Sequence, residues 1–227
     1  MSQVLHNQLS IVEPENPSWN NLYKVSSAAS LILGVLFLIT AIGFIISLIW
    51  TGSTKGWFSL LQSNWLIIIF KLHAGLINIQ DDPLNGLNLL DIVILVLFSV
   101  TCLGLYFNLR KSSKIWSLIA VALSLITIIL FLVTQIAGRS TVMLSVLIFS
   151  FIMIKDKGYS KVTIYAGILA SVFLFAGDLS VGIHSNVITI LFGIGYILLT
   201  LWFFLIARTL LWFGNHEKEF GTLEYGN

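Results

Sequence analysis

Residues 28–50 read AASLILGVLFLITAIGFIISLIW, 23 positions without a charged side chain. About 20 apolar residues in a helix cross the hydrocarbon core of a bilayer. This stretch is therefore predicted to span a membrane and to end on an interfacial tryptophan, Trp50. Leu84–Phe107, Ile115–Ala137, Val142–Ile154, Val162–Gly182 and Val187–Leu210 repeat the signal. Val142–Ile154 has only 13 residues, and must borrow Arg139–Thr141 and the aliphatic stem of Lys155 to cross. The predicted fold is all-α: a polytopic integral membrane bundle of six transmembrane spans over 28–213, between polar cytoplasmic tails at 1–27 and 214–227.

Composition requires the same solvent. The chain has 227 residues, 57% of them hydrophobic and 10% charged, with mean hydropathy +0.97. Ordinary soluble domains carry roughly a quarter charged residues, and so few charges cannot cover a water-facing surface. The expected partner is the lipid bilayer of the cell membrane. The length suits one bundle, and no basic run suggests nucleic acid. Residues 1–27 carry Glu13, Glu15, two prolines and Lys24 as their only Lys or Arg, unlike a secretory signal. Trp19 and Tyr23 are expected there as an interfacial patch.

Short cytoplasmic loops are enriched in Lys and Arg. With both termini cytoplasmic, nine bases fall inside: Lys24, Arg110, Lys111, Lys114, Lys155, Lys157, Lys161, Arg208 and Lys218. Three, Lys55, Lys71 and Arg139, fall outside. Nine against three supports an even number of spans. Residues 57–79 contain the apolar run Trp65–Phe70, but Lys71 inside a span would cost roughly 2.5–3.5 kcal/mol, and Gln62, Asn64 and His73 add to that. They are read as an outer interfacial or re-entrant helix, broken at Asp82-Pro83 and turned at Asn85-Gly86.

Polar and small residues recur at helical spacing: Thr40, Gly43, Ser47; Asn88, Asp91, Ser99, Cys102; Ser117, Ser124, Thr127, Gln135; Gly167, Ala170, Ser171, Asp178; and Thr189, Gly193, Tyr196, Thr200. Such stripes are the usual contact faces between membrane helices. Asp91, Gln135, Arg139 and Asp178 are placed near the outer end of their spans, with Lys71, His73, Asn88 and His184 beside them. An ionisable group at membrane depth points to a functional site. One reading is an Asp91–Arg139 or Asp178–Arg139 pair that fixes helix register. The sharper one is an outward-facing polar pocket for a small ligand, ion or lipid headgroup. A metal site on His73, Asp91, Asp178 and His184 is the weakest, because the histidines are not paired as in zinc hydrolases. Cys102 stands alone, so neither an internal disulfide nor a cysteine zinc site is available. There is no Gly-x-Ser-x-Gly elbow, Walker loop or Cys-x-x-Cys. A non-enzymatic binding role leads and no cofactor is expected. An intramembrane metal- or acid-dependent hydrolase is one alternative, a structural or accessory subunit another.

The ordered series Leu22-Tyr23-Lys24-Val25, Asn64-Trp65-Leu66, Lys71-Leu72-His73-Ala74-Gly75, Leu87-Asn88-Leu89-Leu90-Asp91, Gly138-Arg139-Ser140, Tyr159-Ser160-Lys161-Val162, Gly167-Ile168-Leu169-Ala170 and Leu205-Ile206-Ala207-Arg208 resembles a family of short multi-pass prokaryotic membrane proteins of unknown function. The resemblance covers most of 22–214. It implies a helical bundle in a bacterial or archaeal membrane and no catalytic residues.

Overall fold

The computed structural model describes residues 18–51, 89–133, 135–156, 158–179 and 186–223. They form six helices: α1 (Ser18–Thr51), α2 (Leu89–Leu109), α3 (Lys114–Val133), α4 (Gln135–Met153), α5 (Lys161–Leu179) and α6 (Asn186–Leu223). Each overlaps one apolar span of the sequence, except that Gln135–Ala137, expected at the end of the third span, open α4 instead. Four are long and apolar enough to cross a membrane: α1 over Asn20–Ile42, α2 over Ile92–Leu109, α5 over Lys161–Asp178 and α6 over Ile190–Asn215. The apolar stretches of α3 and α4, Lys114–Leu130 and Ser140–Met153, are shorter. At 19 residues α4 is roughly 28 Å long, near the ~30 Å of a hydrocarbon core. It takes in Gln135–Thr141 ahead of its apolar part and ends at Met153, so the expected contribution of Lys155 lies outside it.

The helices pack as a closed ring. Each contacts its sequence neighbours, and α1 closes the ring against α6, with a lighter touch between α2 and α4. α1 and α6 run antiparallel, since Ser27 meets Ala207, Ser30 meets Phe203 and Phe37 meets Tyr196. α1 starts at Ser18, ten residues before the first apolar span. That extension is packed: Tyr23, Ser26 and Ser27 are buried, and Tyr23 lies against Phe213 with ring centroids 6.5 Å apart. Tyr23 is thus a contact between helices, and the expected interfacial patch does not include it. The 38-residue α6 likewise continues to Leu223, well past the apolar run.

The distribution of side chains inverts that of a water-soluble bundle. The outer faces carry exposed Val, Ile, Leu and Phe, among them Leu31, Val96, Ile129, Phe151, Val172 and Ile197. The buried polar residues are all Ser or Thr, 14 among the described positions. A hydroxyl can be satisfied by a backbone carbonyl inside a helix bundle, whereas a buried charge needs a partner. Apolar side chains face out because lipid is their solvent, and the hydroxyls face in because only protein can satisfy them. The interior is filled by Leu33, Phe98, Leu105, Phe149, Leu199, Trp202 and Phe203. Phe203 stacks on Phe37 at 5.4 Å and meets Phe98 edge-on at 6.3 Å, which links α1, α2 and α6 across the centre.

Three serine hydroxyls on α1 fasten it to its neighbours. Ser26 Oγ donates to the carbonyl of Val100 on α2 at 2.9 Å. Ser27 and Ser30 donate to the carbonyls of Ala207 and Phe203 on α6, at 2.7 and 2.8 Å. Ser26, Ser30 and Gly34 recur every fourth residue, so they share one face of α1. Their small size lets backbones approach. At Gly104 an added Cβ would collide with Ser26, and at Gly34 it would stand 3.0 Å from the Phe204 ring.

Candidate functional site

Successive helices alternate in direction, which sorts the polar residues to two ends. One end carries the α2–α3 and α4–α5 connections and is termed the basic end. The other carries the starts of α2 and α4 and the end of α5.

At that second end, Asp91 is the third residue of α2, Gln135 the first and Arg139 the fifth of α4, and Asp178 the last but one of α5. The backbone therefore brings all four to one side. α4, which carries Gln135 and Arg139, packs on α5 and touches α2. Asp178 is half-buried and has an interaction partner. Lys71, His73, Asn88 and His184 lie outside the described residues, as does the outer helix expected at 57–79. Among the described residues no group of three or more His, Cys, Asp or Glu forms a metal site, and the two histidines considered for metal fall outside them.

Helix dipoles distinguish the three charged ones. A helix N-terminus favours a negative side chain and a C-terminus a positive one, by about 0.3–1 kcal/mol each. Asp91, in the first turn of α2, has the favourable sign. Asp178, at the end of α5, and Arg139, near the start of α4, both have the unfavourable sign. They belong to adjacent helices that run antiparallel.

Most described members of the small and hydroxyl stripes face inward, while Thr40, Asp178 and Tyr196 are half-buried. Ser99, Cys102, Ser117, Ser124, Thr127, Ala170, Ser171 and Thr200 are all buried. Most hydroxyls bond the carbonyl one turn back, as Thr127 does to Leu123 at 2.8 Å and Ser171 to Gly167 at 2.8 Å. Ser99 Oγ reaches across to the carbonyl of Ser124 on α3 at 3.4 Å. Ser117 Oγ is buried without a hydrogen-bond partner.

The basic end holds a second polar cluster that sequence reasoning passed over. Asp156, in the α4–α5 connection, accepts from Ser112 Oγ through Oδ2 at 2.9 Å and from the Gly158 N–H through Oδ1 at 2.8 Å. Tyr159 Oη donates to Asn108 Oδ1 at 3.0 Å, and its ring sits 6.4 Å from that of Phe213. Burial first, then the neighbouring Asp156 carboxylate and Tyr23, hold the Tyr159 phenol well above the ordinary tyrosine range. Ser160 caps α5, its Oγ accepting from the Thr163 N–H at 3.1 Å. The signal available in the sequence was Asp156 itself, a lone acid between Lys155 and Lys157.

Comparison of the chain with protein-family models, curated proteins and solved structures returns no match, so the family resemblance drawn from its ordered motifs gains no support there.

Proposed function

We propose that this chain is a six-span, multi-pass protein of the cell membrane, with both termini in the cytoplasm, that binds a small ligand, ion or lipid headgroup in an outward-facing polar pocket. Asp91, Gln135, Arg139 and Asp178 form its walls, and Asn88 and His184 at the span ends with Lys71 and His73 from the outer segment complete it. The observation that carries this reading is the convergence of the four helical positions at one end of the ring, on helices that touch. An Asp178–Arg139 pair accounts for two of them. It leaves Asp91 and Gln135 as polar groups at membrane depth with a ligand to bind. Nine bases against three put this end outside.

Thiol accessibility tests the pocket and the topology together. In a Cys102→Ser background, Gln135→Cys should react with a membrane-impermeant maleimide added to intact cells. Ser113→Cys should react only after permeabilisation. Failure of Gln135→Cys to react from either side would mean a sealed helix contact and no pocket. Reaction only after permeabilisation would reverse the orientation. Native mass spectrometry of the protein taken directly from membranes should then show a retained non-protein mass that Asp178→Asn loses.

A further inference from the structure

We propose that the basic end of α3, α4 and α5 is a docking surface for anionic phospholipid, held by Lys111, Lys114, Lys155 and Lys161. The 2.9 Å bond between Ser112 and Asp156 ties together two connections 44 residues apart in sequence. It thereby joins Lys111 and Lys114 with Lys155 and Lys161 on one surface. All four lysines are exposed, and none pairs with an acid among the described residues. Asp156, the acid standing among them, has one oxygen on Ser112 and the other on the Gly158 N–H. Both of its oxygens are thus engaged by the loops, and the surface presents the four exposed lysines beside this one half-buried carboxylate.

The identity of the occupant follows from what stands beside each cation. Ile115 and Trp116 follow Lys114, Ile154 precedes Lys155 and Val162 follows Lys161, and these four are 72%, 57%, 57% and 58% exposed. They lie on three helices that pack consecutively, α3 on α4 and α4 on α5. A free phosphate needs the cations but not this apolar wall. An acidic soluble peptide would leave the wall in water. A phospholipid supplies both parts, with a negative headgroup at the lysines and acyl chains along the exposed aliphatic faces. Trp116 is the residue type that sits at the headgroup level. The proposal requires only that these helices cross a bilayer. It does not depend on the opposite pocket or on which compartment the loops face.

The experiment uses the full chain in nanodiscs of mixed phosphatidylglycerol and phosphatidylcholine, with bound lipid counted by native mass spectrometry after release. The wild-type protein should retain phosphatidylglycerol in preference to phosphatidylcholine, and raising salt should reduce the preference. Each Lys→Gln change among Lys111, Lys114, Lys155 and Lys161 should lower the preference by about fivefold. Arg208→Gln, an exposed base on α6, should leave it unchanged. These four lysines are exposed, so single variants fold, and the wild-type comparison requires no variant at all. Equal retention of the two lipids by the wild type would overturn the proposal. So would an equal loss on Arg208→Gln, which would indicate a diffuse charge effect, or displacement of the lipid by millimolar inorganic phosphate, which would indicate a free-anion site.

Discussion

Replacing Gly167 by alanine tests how closely α4, α5 and α6 are packed. An added Cβ would stand 2.5 Å from Trp202 Nε1 and 2.6 Å from Trp202 Cδ1, and closer still to Ser150 Oγ. Ordinary contact begins at 3.4 Å, so α5 must move away by about 1 Å, or Trp202 must leave its rotamer. Trp202 is wholly buried and cannot swing into space. Overpacking of this kind costs about 1–3 kcal/mol. Gly→Ala also raises helix propensity, which offsets up to ~1 kcal/mol. The net loss expected is about 1–2 kcal/mol, measured by reversible unfolding in mixed detergent–lipid micelles with tryptophan fluorescence. Ser150 sharpens the test. Its hydroxyl and the Trp202 indole N–H are both buried without a hydrogen-bond partner. Ser150→Ala alone therefore breaks no bond and should be neutral or stabilising by up to ~1 kcal/mol. In that background Gly167→Ala should cost less, because the nearest obstruction is gone, and the double-mutant cycle should show coupling of at least ~0.5 kcal/mol. A Gly167→Ala effect within 0.5 kcal/mol of zero, or an undiminished penalty in the Ser150→Ala background, would refute the packing described for these helices.

Ser27→Ala and Ser30→Ala should each weaken the α1–α6 contact by about 0.6 kcal/mol, up to ~1.7, read in the same unfolding assay; no effect from the pair would mean these hydroxyls do not hold α1. Tyr159→Phe should cost about 1 kcal/mol through the bond to Asn108. Because the folded state raises the Tyr159 pKa above the unfolded value of about 10, its contribution is present in full below pH ~10 and is lost as pH climbs beyond it. A spectrophotometric titration should therefore find about one fewer phenolate at pH ~11 in the folded protein than in the unfolded chain, and Tyr159→Phe should abolish that difference. Cys102, wholly buried, should resist a small thiol reagent in the folded protein and react once it is unfolded.

What the sequence determined by itself is the fold class and the place of the described helices. Uncharged apolar runs of membrane-crossing length have one stable form in lipid, the helix, since each backbone N–H must find its carbonyl within the same segment. The six described helices overlap those runs. The short run at Val142–Ile154 is extended on its N-terminal side alone, from Gln135, and not through Lys155. The hydroxyl stripes were legible for a related reason: a residue that lipid cannot satisfy turns inward, and helical spacing reveals which face does so. The start of α1 was not legible. Hydropathy ends at Ala28 because Ser26 and Ser27 are polar, yet both are buried against α2 and α6 through carbonyls that no local pattern discloses. Nor was the tie between Ser112 and Asp156, or between Asn108 and Tyr159, since each joins loops or helix ends more than forty residues apart. Only tertiary structure decides which helices are neighbours. That choice sets Arg139 with Asp178 on adjacent antiparallel helices, whose dipoles oppose each charge alone, and leaves Asp91 at the helix end that suits it.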